Sequence, residues 1–186
     1  MKKQRPAVFL DRDGTLNIER DLVRTPDELS LIDGTGAALK ALQEQGYALI
    51  VVTNQSAIAR GTLGVDELDK IHESLAERLA LEGVSLDGIY YCPHHPTEGA
   101  PPLRMICECR KPAPGMLKEA ARAHDLDLTR SWMIGDNISD IEAGERAGAQ
   151  SLLVLTGKGQ RFAEQLSSDR VVEDLSAATK KITAER

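Results

Sequence analysis

Aromatic residues are scarce: one Trp, three Tyr and two Phe in 186 residues. That offers no obvious protein interface of the Trp- and Tyr-anchored kind, so a monomer is expected. Basic charge is also in deficit. The net charge of −6 excludes a general binder of nucleic acid or anionic membrane, which needs a basic surface to displace counterions. It leaves a small phosphorylated substrate open, because local cations and metal govern the charge inside a pocket. Long apolar runs are missing, and none reaches the length of a membrane span. The basic start, Met1-Lys2-Lys3-Gln4-Arg5, meets only a short apolar run before Asp11, too short for a signal peptide. A cytoplasmic protein is therefore expected. Cysteine is limited to Cys92, Cys107 and Cys109, an odd number in a short stretch, which does not suggest a disulfide framework.

What is present is an alternation. Short apolar runs at 7–10, 49–52, 88–91, 132–134 and 151–155 read as buried strands. Between them lie helical patterns at about 35–45, 65–82, 115–124 and 139–148, with a last surface helix at about 175–182. Gly46 and Gly83 stop the first two, and Leu68, Ile71, Leu75 and Leu79 make one apolar stripe. The fold class is α/β, a single domain over 1–186 built on a doubly wound parallel sheet. Ligands bind such sheets beyond the carboxyl ends of the strands, so a motif gains weight when it directly follows an apolar run. The one long irregular stretch, 92–114, needs a function or a pin.

Several motifs pass that test. The first run leads into Asp11-Arg12-Asp13-Gly14-Thr15. Two carboxylates two residues apart can face the same side and hold a hard divalent cation such as Mg2+. One can attack phosphorus, while the other protonates the leaving alcohol and later deprotonates water. Gly14 lets backbone amides turn toward a phosphate. Thr53, Asn54 and Gln55 follow the second run and can donate hydrogen bonds to phosphoryl oxygens. Gly135-Asp136-Asn137-Ile138-Ser139-Asp140 adds a third carboxylate, and a fourth one helical turn later. Arg110 and Lys111 add fixed positive charge. Positioning and charge neutralisation are most of what phosphoryl transfer requires.

Within the irregular stretch, Cys92-Pro93-His94 and Cys107-Glu108-Cys109 form C-x-H-x12-C-x-C, a Cys3His set suited to structural Zn2+, with His95 as a competing ligand. Such a site can replace the core that a loop lacks. It would also fix the angle at which Arg110 and Lys111 enter the pocket.

The order Asp-x-Asp-Gly-Thr, Thr-Asn, Lys-Pro, Gly-Asp-x-x-x-Asp resembles the haloacid dehalogenase superfamily over about the first 155 residues. The resemblance implies a Rossmann-like sheet. It makes Asp11 the nucleophile and Asp13 the general acid and base, with Thr53 and Lys111 steadying the phosphoryl group. It also implies Mg2+ held by Asp11, the Asp13 backbone carbonyl and Asp136. The second carboxylate, Asp13, fits the phosphatase branch, and the family's zinc-bearing members put the ligand at His94. Only 39 residues separate Asp13 from Thr53, which leaves no room for the cap domain of larger members. Loops must then select the substrate: Glu19, Arg20, Asp21 and Leu22; Ser56 to Arg60; and Arg110 at the end of the zinc loop 92–109. Asn54, Gln55 and Asn137 are further polar candidates. Within the capless group the sequence resembles a branch acting on a seven-carbon sugar bisphosphate more closely than one acting on histidinol phosphate.

Overall fold

The computed structural model describes residues 4–185, and the basic start at 1–3 lies outside them. Among the described residues, six parallel strands form one sheet in the order β3-β2-β1-β4-β5-β6. They are β1 (Ala7–Leu10), β2 (Ala48–Asn54), β3 (Gly88–Cys92), β4 (Trp132–Gly135), β5 (Gln150–Val154) and β6 (Val171–Val172). The first five match the apolar runs to within a residue or two. β6 was not expected, because two residues carry no readable period; it pairs with Leu153 and Val154 at the sheet edge.

Each inner strand splits its side chains by the two-residue period. Val8 and Leu10 face one layer, with Leu49, Val51 and Ile134; Ala7 and Phe9 face the other, with Ile50, Val52 and Met133. Both layers are apolar because helices cover both faces, which is why the strands read as continuous apolar runs. The first layer receives α1 (Thr35–Glu44), α2 (Val65–Leu81) and α5 (Leu175–Ala184); the second receives α3 (Gly115–Ala123) and α4 (Ile138–Ala147). The stripe on α2 is fully buried, and each Leu or Ile on it contributes roughly 1.5–3 kcal/mol. Truncating one, as in Leu75→Ala, costs about 2–5 kcal/mol. α5 is more than a surface helix: it packs against α1 and buries Leu175, Ala178 and Ile182. α1 stops where Gly46 adopts a φ of 84°.

Topology sets the site. β1 lies between β2 and β4, so the chain winds outward in one direction through β2 and β3, then crosses to wind the other way. The crevice at this switch point opens above the carboxyl ends of β1 and β4. Asp11 follows the first of these strands and Asp136 the second.

Candidate active site

The Asp11 amide donates to the Ile134 carbonyl at 2.9 Å, which extends the β1–β4 ladder by one step and fixes the Asp11 side chain over the crevice. Its Oδ1 accepts from Lys111 Nζ at 2.7 Å. The same ammonium donates to the Val52 carbonyl at 2.7 Å and pairs with Asp140 Oδ1 at 2.6 Å. Three acceptors match the three protons of the ammonium, so Lys111 can sit almost wholly buried. Burial drives the Asp11 carboxyl upward from the ordinary carboxylate range; Lys111 opposes this, while Asp140 and Asp136 reinforce it. Burial also works against the charge of Lys111, but the carboxylates of Asp11 and Asp140 outweigh it and hold the ammonium protonated.

Asp136 is held by a loop far along the chain. Its Oδ2 accepts from the Lys158 amide at 2.7 Å, and the backbones of Gly14 and Gly157 close on it so tightly that a Cβ at either would collide with the carboxylate. Thr156 Oγ1 donates to the Gly14 carbonyl at 2.6 Å and completes the clasp. Burial first, then the charges of Asp140 and Glu19, push Asp136 up to about 6 against the Lys158 N–H. Asp140 serves as the N-terminal box of α4, accepting from the Asn137 amide at 3.0 Å.

The carboxylates of Asp11, Asp136 and Asp140 offer oxygens within 4.8 Å of one another. All three are buried, and Lys111 compensates one of them. With all ionised, the remaining charge is −2, which one divalent cation neutralises. Since Lys111 and the α4 backbone occupy Asp140, a hard cation is left with Asp11 and Asp136, beside the backbone at Asp13.

Asp13 is turned to the other flank of the crevice. The Arg12 Nε donates to both of its oxygens at 3.2 Å, and Nη2 reaches Oδ2 at 2.9 Å. Asn17 donates to Oδ1 and Gln55 to Oδ2, each at 3.0 Å. Burial alone would raise this carboxyl, but the Arg12 guanidinium, helped by bonds from Asn17 and Gln55, keeps it below the ordinary range.

A cavity of about 470 Å³ opens over these groups. Asp11, Asp13, Thr53, Lys111 and Asp136 line its floor, and Glu19, Asp21, Ser56, Arg110 and Asn137 line its wall. Not every expected substrate contact points inward. Asn54 lines the cavity, but its amide is latched to the Lys111 backbone, donating to the carbonyl and accepting from the N–H at 3.0 Å. Gln55 is buried and links Asp13 to Thr53 Oγ1 at 2.9 Å. Arg60 pairs with Glu98, and with Leu22 it lines a neighbouring recess; Arg20 lies in another groove. A charged cavity residue was missed by sequence reasoning. Lys158 reaches the wall and pairs with Glu19 at 3.3 Å. It stands just past the β5 run, so the strand-end test could have found it.

The second cluster ends at Cys109, the residue before the cavity-lining Arg110. The Sγ of Cys92, at the end of β3, lies 3.1 Å from that of Cys109 and 3.6 Å from that of Cys107. Cys107 and Cys109 are 3.3 Å apart, and His94 Nδ1 is 3.3 Å from Cys109 Sγ. A tetrahedron with Zn–S bonds of about 2.3 Å has edges of roughly 3.8 Å, close to these separations, so the four residues fit zinc. His95 is directed elsewhere, with its Nδ1 accepting from the Glu98 amide at 2.9 Å. One residue beyond Cys109, Arg110 donates to Ser56 Oγ at 2.5 Å and to the His94 carbonyl at 3.1 Å.

Comparison with known proteins points the same way. A HAD-hydrolase-like family model matches residues 108–178. The D-glycero-beta-D-manno-heptose-1,7-bisphosphate 7-phosphatase of Photorhabdus laumondii is 43% identical over 178 residues, 95% of each chain. The protein of that name from Escherichia coli K12 is 42% identical over 95% of this chain and 93% of its own. Among solved structures, the D,D-heptose 1,7-bisphosphate phosphatase of B. bronchiseptica, complexed with magnesium and phosphate, superposes with a TM-score of 0.86 at 36% identity, over 97% of this chain and 99% of its own.

Proposed function

From the premise that the chain belongs to the D-glycero-beta-D-manno-heptose-1,7-bisphosphate 7-phosphatase family of HAD-like hydrolases, and so is a phosphoric monoester hydrolase, we propose that it removes the 7-phosphate of that sugar bisphosphate and leaves the 1-phosphate. The observation that carries the reading is the Asp11 carboxylate, held by Lys111 at the floor of a cavity whose wall bears Arg110.

In this reading Asp11 attacks phosphorus as the bond to the sugar oxygen breaks, giving an aspartyl-phosphate. Asp13, ionised in the free cavity, takes up a proton as the negative charge of the phosphate arrives, gives it to the departing oxygen, then takes one from the water that hydrolyses the intermediate. Thr53 and Lys111 neutralise the phosphoryl oxygens. Asp11, the Asp13 carbonyl and Asp136 would hold Mg2+, which supplies charge neutralisation at phosphorus. Arg110 takes the second phosphate, with Glu19, Asp21, Ser56 and Asn137 around the sugar. Cys92, His94, Cys107 and Cys109 would hold Zn2+ as a structural ion.

Residues 1–186 act as one unit in this proposal, without a cap, and as a monomer. The substrate is a small sugar phosphate; neither nucleic acid nor membrane is a partner, in keeping with the net charge of −6. Among the described residues no helix is long and apolar enough to cross a membrane. Three closely spaced free thiols suit a reducing cytoplasm.

The test is phosphate release with Mg2+ from heptose 1,7-bisphosphate beside histidinol phosphate, using wild type and Asp11→Asn. Preference for the bisphosphate, abolished in Asp11→Asn, is the expected result. Preference for histidinol phosphate would overturn the substrate assignment, and release that survives Asp11→Asn would overturn the mechanism.

A further inference from the structure

Arg12 stands between the two carboxylates in sequence and would ordinarily be read as a solvated charge. Instead it is 1% exposed, among the largest side chains in the core. A buried guanidinium is costly unless an anion meets it. Among the described residues its one charged partner is its neighbour Asp13, at 2.9 Å. The flanking group on α2 is His72, itself buried; burial and the Arg12 charge push its pKa down to about 4, so it stays a neutral imidazole at neutral pH. Neither Arg12 Nη1 nor His72 Nε2 has a hydrogen-bond partner. The guanidinium is therefore directed at Asp13 alone.

The geometry at Asp13 is fully determined. The Arg12 fork, the Asn17 amide and the Gln55 amide supply four donors. These fix the plane of the carboxylate while 24% of its side chain stays open to the cavity. A fork fixes a plane in a way that a point cation cannot.

We propose that Arg12 is a positioning residue for the reaction: it acts through Asp13, setting the direction in which that carboxyl meets the ester oxygen, and touches no substrate itself. This rests on the reading of Asp13 as the proton donor. The proton leaves the Asp13 carboxyl oxygen and joins the sugar oxygen as the P–O bond breaks, and the resulting carboxylate remains in the Arg12 fork.

The test separates aim from general damage by leaving group. An alkoxide needs a proton to depart, whereas p-nitrophenolate departs without one. kcat/KM would be measured on the sugar bisphosphate and on p-nitrophenyl phosphate for wild type, Asp13→Asn, Arg12→Met and Arg12→Lys, with melting temperatures alongside. Arg12→Met is expected to lose about 30-fold or more on the sugar ester and less than about threefold on the aryl ester. Arg12→Lys should recover part of the loss, since a charge remains without the fork. If Arg12→Met does not fold, the same unequal pattern, smaller, is expected of Arg12→Lys. Equal losses on both esters, or no loss on the sugar ester, would overturn the proposal. If Asp13→Asn itself fell equally on both, the role of Asp13 would fail and this inference with it. If Asp13→Asn discriminated and the Arg12 variants did not, the inference alone would fail.

Discussion

The carboxylate floor and the thiolate cluster are joined through Arg110, which follows Cys109 and lines the cavity, yet they are built by opposite means. The floor is held by the sheet: Asp11 and Asp136 follow adjacent strands, and the bond from the Asp11 amide to the Ile134 carbonyl and the bond from the Lys158 amide to the Asp136 carboxylate fix their places. Of the thiolate cluster only Cys92, at the end of β3, stands on the sheet. Residues between β3 and α3 form no helix or strand, and the four N and S atoms of Cys92, His94, Cys107 and Cys109 are their common point. One site is made by the fold and then takes a metal, whereas the other would need its metal to make the local fold. In the proposed reading the difference separates two tasks: chemistry on strand ends, selection on a loop tied to them by Arg110.

The sharpest way to break this comparison is to damage one side and read the other. Asp11→Asn should lower turnover by at least about 10⁴-fold, as removal of a nucleophile does, while zinc content measured by metal analysis stays at wild type. Zinc loss in that variant would mean that the two regions are not separate. Removing zinc, by chelation or Cys107→Ser, should lower the melting temperature by about 10 °C, which corresponds to a few kcal/mol in a domain of this size. It should also raise KM for the bisphosphate roughly tenfold, with turnover at saturation largely kept. Full kcat/KM without zinc would end the idea that the cluster aims Arg110. Arg110→Ala sharpens the point, because it should reproduce the rise in KM without the fall in melting temperature.

The smallest effect concerns pH. Asp136 has its pKa raised from 3.8 to about 6 in the folded chain. The folded state then holds more protons than the unfolded one between those values, so without Mg2+ its contribution lowers stability as pH climbs from about 4 to about 6. Mg2+ requires the ionised form. The rise in melting temperature on adding Mg2+ should therefore be larger at about pH 7.5 than at about pH 5, by a few degrees. An equal rise at both would show that Asp136 does not hold the ion.

Much of this was legible in the residues, for reasons that differ by region. The strands and the stripe on α2 could be read because burial on both faces leaves apolar runs and a helical period in the sequence. The metal-ligand types could be read because their chemistry is specific. The directions of side chains beyond a strand end could not. Asn54 and Gln55 looked like phosphate donors, yet they brace Lys111 and Asp13. Arg12 carried no signal in the sequence, and only its burial in the fold reveals a core residue. β6 is two residues long, below the reach of any periodicity.

The clasp on Asp136 has a consequence for the timing of synthesis. Thr156 and Gly14 are 142 positions apart, and Lys158 closes on a carboxylate that leaves the ribosome 22 residues before it. A nascent chain that has emerged only as far as α4 already carries every carboxylate of the cavity and the whole cysteine cluster. It still lacks the backbone that holds Asp136 in place. The clasp on Asp136 therefore cannot close until the residues just past β5 come free.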